Sequence, residues 1–129
     1  MRGFSLVLRD ASRAERIEGV TSFVGEDASG SFGVLPDHTR FMTVLNFGLA
    51  RFRRGEGPWQ YLALSGALLY FVDNEMRITT RHYLMDEDYA RISRLLEEEM
   101  TVEERNLSTM KESLRRMEEE LMRRLWELR

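Results

Sequence analysis

The residues of this 129-residue sequence whose types could do chemistry are two histidines, a glycine-serine run and one serine beside a glycine. Asp37 precedes His38, a pair that could orient and supply a base, but no thiol or other obvious nucleophile stands beside them to be activated. Ser65-Gly66 lacks the Gly-x-Ser-x-Gly frame that strains a nucleophile into an exposed turn. His38 and His82 are far apart and share no ligand spacing such as His-x-x-x-His, so no metal site is expected. The run Gly25-Glu26-Asp27-Ala28-Ser29-Gly30-Ser31 has the glycine spacing of a phosphate loop without its lysine, and the only lysine of the chain is Lys111. Without that ammonium nothing fixes positive charge on the terminal phosphates, so the run reads as a flexible acidic loop and not as a Walker site. Cysteine is absent, which removes disulfides, thiolate ligands and thiol nucleophiles. No catalytic residue and no cofactor is expected. The one basic cluster, Arg51, Arg53 and Arg54 near Phe52 and Trp59, is brief in a chain of net charge -3. Arginines guarding a solvated hairpin edge account for it better than nucleic acid does.

The elements that would position these residues divide the chain in two. Residues 1–84 carry 10 arginines against nine acids, and residues 85–129 carry nine basic residues against 13 acids. All nine glycines and both prolines lie in the first part, so turns concentrate there and helix is unopposed afterwards. In the first part Phe4 to Leu8 reads as a strand. Gly48 to Arg53 and Trp59 to Leu64 read as two strands around the turn Arg54-Gly55-Glu56-Gly57-Pro58. Leu68 to Val72 and Met76 to Thr80 form a further hairpin around Asp73-Asn74-Glu75.

In the second part Asp86 is placed to cap a helix with Tyr89, Ile92, Leu95, Leu96 and Met100 on one face. Thr101-Val102-Glu103-Glu104 has capping-box spacing and predicts a second helix start. Its apolar stripe runs through Leu107, Met110, Leu114, Met117, Leu121, Leu125 and Leu128, widened by Met122 and Trp126. The expected architecture is α+β: an N-terminal antiparallel β-sandwich over 1–84, then an antiparallel two-helix hairpin over 85–129. The charged N-terminal stretch holds no apolar signal-peptide core. Pro58 to Val72 is shorter than the roughly 20 residues of a membrane span, so none is expected.

One stretch carries more than architecture. Gly30-Ser31-Phe32-Gly33-Val34-Leu35-Pro36-Asp37-His38 resembles the signature of the epsilon subunits of F-type ATP synthases, in which Gly-x-x-Gly-Val-Leu-Pro-x-His leads into a strand. Gly48, Arg51, Ala63-Leu64-Ser65-Gly66 and Asn74 continue that pattern in order. The resemblance implies a non-catalytic subunit of the central stalk whose sandwich binds the gamma subunit and the membrane c-ring. It places the Gly30 to His38 loop at that interface, Gly33 allowing a tight backbone, Pro36 restricting its exit and His38 making contact. It also implies helices that dock on the sandwich or reach the alpha and beta subunits of the head and restrain hydrolysis. The expected location is peripheral, on the cytoplasmic face of the cell membrane.

Several positions depart from the family pattern. Ser31 stands where an acid often faces the ring, Asp37 replaces a glycine, and Ala67 replaces the second glycine of Ser-Gly-Gly. Tyr89 takes the place of the arginine in the Ile/Leu-Asp-x-x-Arg-Ala motif with which some members bind ATP, and Asp88 adds a repelling charge, which argues against ATP sensing. The departures suggest a divergent branch, proton or sodium translocating. An independent helical adaptor, bound through residues 85–129, and a small hydrolase are the competing classes.

Overall fold

The structure, a computed structural model, describes residues 3–127, leaving aside the side chains of 99–101, 103 and 104. Eight strands come first: β1 (Phe4–Arg9), β2 (Ala14–Val20), β3 (Ser22–Asp27), β4 (Gly30–Val34), β5 (Phe41–Arg53), β6 (Gln60–Val72), β7 (Glu75–Thr80) and β8 (Tyr83–Asp86). They are followed by α1 (Tyr89–Leu95), a π-helical segment Leu96–Met100, and α2 (Thr101–Glu127). The strands join in the order β2-β1-β7-β6-β5-β3-β4, with β8 also on β6. All pairs are antiparallel except β1 with β7, which run parallel.

The two long strands turn this one ribbon into a sandwich. In β6 the positions that face the main core are Leu62 and Leu64 before the middle and Ala67, Leu69 and Phe71 after it, so the inward parity switches. In β5 Leu45 points inward before the same level, and Ala50 and Phe52 after it. Because side chains alternate along a strand, a shared switch requires the paired strands to fold over at that level. Gly66 sits there at φ 87, a conformation that L side chains rarely adopt. One layer is thus β2, β1, β7 and the adjoining ends of β6 and β5, and the other is β8, the remaining halves of β6 and β5, β3 and β4. Phe4, Leu6, Leu8, Phe23, Phe52, Leu62, Leu69, Phe71, Ile78 and Tyr83 fill the space between.

Several expectations need correction. The Gly25 to Ser31 run is not a flexible loop: it is the hairpin of β3 and β4, with Asp27 opposite Gly30 across a two-residue turn. Trp59 to Leu64 and Leu68 to Val72 are not separate strands, since only a fold-over divides the two halves of β6. The arginine cluster guards no edge, because Arg51 and Arg53 pair with β3 on one side of β5. The cap of α1 is Asp88, whose carboxylate accepts the Arg91 N–H at 3.1 Å, and not Asp86. Asp86 accepts the Asp88 N–H and pairs with the Arg91 guanidinium instead.

The two C-terminal helices are present, in an opened arrangement. α1 lies on the outer face of the second layer, where Ile92 and Ala63 are both fully buried among Leu49, Tyr61, Leu84 and Leu96. The π-helical segment carries helical backbone from α1 into α2, so no reversal folds the second helix onto the first. Leu107 is half-buried, whereas Met110, Leu114, Met117, Leu121 and Leu125 are exposed along α2. Leu128, the last position of the expected stripe, lies outside the described residues. Among the described residues no helix is long and apolar enough to cross a membrane.

Candidate docking site

The signature stretch is divided between two elements. Gly30, Ser31, Phe32, Gly33 and Val34 form β4, while Leu35, Pro36, Asp37 and His38 form the connection to β5. Gly33 is therefore an extended residue paired with Val24, and not the hinge of a tight turn. The positive-φ positions of the stretch are Gly30, at φ 120, and Asp37, at φ 66.

A reciprocal clasp holds that residue. The Asp37 N–H donates to Asn74 Oδ1 at 2.6 Å, and Asn74 Nδ2 donates back to Asp37 Oδ1 at 2.7 Å. Asn74 sits in the tight β6–β7 turn with Asp73, both at positive φ (55 and 50), as expected for a two-residue hairpin of this chemistry. The Asn74 carbonyl also accepts the Ser5 N–H at 3.0 Å, so one turn residue joins the loop to β1. The His38 N–H closes a turn onto the Leu35 carbonyl at 3.3 Å. Its Nδ1 donates to the Thr39 carbonyl at 2.8 Å, which assigns the proton to that nitrogen. The His38 ring packs on Phe41 and Phe71, centroids 5.6 and 5.8 Å away. The ring is thereby braced as a shaped surface, and Leu35 stands out beside it at 62 % exposure.

The outer face of the first layer carries further exposed apolar side chains. Met42 and Val44 alternate outward on β5 at 59 % and 65 % exposure, and Leu68, opposite Val44 on β6, is 46 % exposed. Tyr70, opposite Met42, is half-buried on the same face. Such a cluster of large exposed apolar side chains on a sheet face is a candidate contact surface. Sequence reasoning missed Met42, Val44 and Leu68. The alternation Met42-Thr43-Val44-Leu45 is visible in the sequence, but apolar residues at every position but one hide which parity faces out.

Asp27, at the β3–β4 turn, is held below the usual carboxylate range by hydrogen bonds from the Ser29 and Thr43 hydroxyls and the Ser29 N–H. Its role is to fasten the turn, not to ligate. Among the described residues no group of three His, Cys, Asp or Glu could hold a metal. Tyr89, in place of the ATP-motif arginine, packs edge-on against Tyr61 at 5.3 Å, and Arg91 is engaged by Asp86. That helix start is occupied by its own contacts.

These features together make a small β-sandwich with a braced loop, an apolar outer face and an appended helical arm. Residues 4–85 match the family described as ATP synthase, Delta/Epsilon chain, beta-sandwich domain. The chain is 42 % identical over 76 residues to ATP synthase epsilon chain 2 of Cereibacter sphaeroides, covering 58 % of this chain and 52 % of that protein. It is 29 % identical over 89 residues to the ATP synthase epsilon chain of Leptospira interrogans, covering 69 % and 62 %. Thus it spans between half and two thirds of the length of these relatives. Among solved structures, a chain of the Euglena gracilis mitochondrial ATP synthase, determined as OSCP/F1/c-ring, superposes with a TM-score of 0.58 at 20 % identity, over 72 % of this chain and 61 % of that one. One from the central stalk and c-ring of the Tetrahymena thermophila enzyme superposes at 0.52 with 13 % identity, over 65 % and 69 %. These likenesses show the fold. The chain belongs to the epsilon subunit family of F-type ATP synthases.

Proposed function

We propose that this chain is a non-catalytic rotor subunit that joins the gamma subunit to the membrane c-ring, so that torque passes between ion flow and the catalytic head. The observation that carries the reading is the exposed apolar group of Met42, Val44 and Leu68 on the outer face of the first layer, together with exposed Leu35 in the connection that leads into β5. Burying those side chains against a partner is worth on the order of 1.5–3 kcal/mol for each one fully covered. The central-stalk and c-ring setting of the Tetrahymena structure supports the same assignment. Gly30 to Val34 contributes an uncharged strand beside the loop, so contact with the ring at Ser31 is polar and not ionic. The subunit works as a peripheral component on the cytoplasmic membrane face.

The opened α2 extends the proposal. Its exposed stripe from Met110 to Leu125 is available to the alpha and beta subunits, where it would restrain hydrolysis. Two experiments test these parts separately. Capture of gamma by the full chain should weaken in His38→Ala; undiminished capture would remove the loop from the interface. Truncation after Leu95 keeps α1 and removes α2. Unchanged ATP hydrolysis by the complex after that truncation would end the regulatory reading.

A further inference from the structure

The β5–β6 hairpin carries a second surface, on the opposite layer from the face just described. Ala50 and Phe52 point into the core, so Arg51 and Arg53 point out. Both guanidiniums lie over the Trp59 ring, with Cζ 4.6 and 4.7 Å from its centroid, and Arg54 follows at the turn. Arg13, Arg16, Arg77 and Arg91 each have a carboxylate partner. Among the described residues Arg51, Arg53 and Arg54 have none.

Two features bear on what these cations could hold. Stacking on an indole engages the π face of a guanidinium and leaves its in-plane N–H donors for an acceptor. Arg53 Nε is buried without any acceptor, a state that native structures avoid because a desolvated donor left unpaired is costly. The guanidinium donors that stay exposed on Arg51 and Arg54 form their strongest hydrogen bonds with anions.

We propose that Arg51, Arg53 and Arg54, framed on Trp59, dock an acidic segment of a protein partner whose carboxylates take up the guanidinium donors. A polypeptide fits better than a nucleic acid. Beside Arg51 the same face opens into a cleft of about 250 Å³ lined by Val24, Leu49, Tyr61 and Tyr89, which suits apolar side chains flanking the acids. The surface lies outside the apolar face of the first layer, and the proposal does not depend on the rotor assignment.

The test uses the full chain with Trp126→Phe, which leaves Trp59 as the sole tryptophan. Its emission is followed during titration with an octaglutamate peptide, with octaglutamine and oligothymidylate as comparisons. The expected result is a saturable change with octaglutamate, weakened by salt and absent with octaglutamine. Affinity should fall at least about tenfold in Arg51→Gln/Arg53→Gln, as expected for losing charge-assisted donors. Arg51→Lys/Arg53→Lys keeps the charge but loses the fork, and should also bind more weakly; with Arg54→Gln it covers the case in which the glutamine pair fails to fold. No response to octaglutamate, equal affinity in every folded arginine variant, or tighter binding of oligothymidylate would overturn the proposal.

Discussion

Asn74 shows how much positioning one residue can supply. It adopts φ 55 in the β6–β7 turn while its side chain clasps Asp37 and its carbonyl receives Ser5. Asn74→Gly keeps the backbone conformation and removes the exposed side-chain hydrogen bonds, so it should destabilise by about 1 kcal/mol in urea denaturation. Asn74→Ala adds left-handed strain and should cost about 1 kcal/mol more; equal effects of the two would refute the strain account. Acid provides a second residue-level test. Asp86 is held below its ordinary value of 3.8, first by the Arg91 guanidinium and then by the Asp88 N–H. A depressed folded-state pKa gives stabilisation that is complete above the unfolded value and fades as pH falls below it toward the folded one. The urea midpoint should therefore decline below pH 3.8, and Asp86→Asn should lower it at neutral pH while flattening that decline. Of these residues, Asn74 was visible in the sequence as a turn type, whereas Asp86 reads there as the helix cap that Asp88 supplies in the structure, and the partners of neither were visible. Asp37 with Asn74 and Asp86 with Arg91 are joined by contacts that no single local pattern specifies.

At the scale of elements, anchoring and exposure separate the two helices. Ile92 is fully buried against the sheet, so Ile92→Ala should cost about 2–4 kcal/mol in the docking of α1. Hydrogen exchange should then rise in α1 while the strands β1, β6 and β7 stay protected. Leu114 is 57 % exposed, so Leu114→Ala should change the stability of the isolated chain by less than about 0.5 kcal/mol; a large loss would mean that α2 is docked in solution. Much of this plan was legible. Period-two runs ended by glycine or by Asp-Asn marked the β5–β6 and β6–β7 hairpins, and the spacing of three and four marked α2. What escaped has physical causes. Ala14–Val20 and Ser22–Asp27 are strands by pairing, although their charged residues and glycines make weak local signals. The fold-over of β5 and β6 depends on a parity switch that shows only once both strands are aligned. The opened helical arm depends on a π-helical segment without glycine or proline to announce it.

For the whole molecule, the sandwich presents two distinct outer surfaces and the helices a third. The family was recognisable because the Gly-x-x-Gly-Val-Leu-Pro-x-His stretch and the downstream Ser-Gly and Asn keep their order, whereas the apolar face beside that stretch required the sheet register. Partner choice follows from which surface is covered, and we propose that the first layer binds gamma. The most direct measurement is quantitative capture of gamma by the full chain, comparing the unaltered protein with Val44→Asp/Leu68→Asp and with Leu114→Asp. Buried apolar positions at the centre of an interface carry most of its energy. The account predicts that Val44→Asp/Leu68→Asp weakens capture at least about tenfold, since a carboxylate would be desolvated at the contact, while Leu114→Asp captures gamma normally. Undiminished capture by Val44→Asp/Leu68→Asp, or loss in Leu114→Asp alone, would contradict it and shift the binding role to the helical arm.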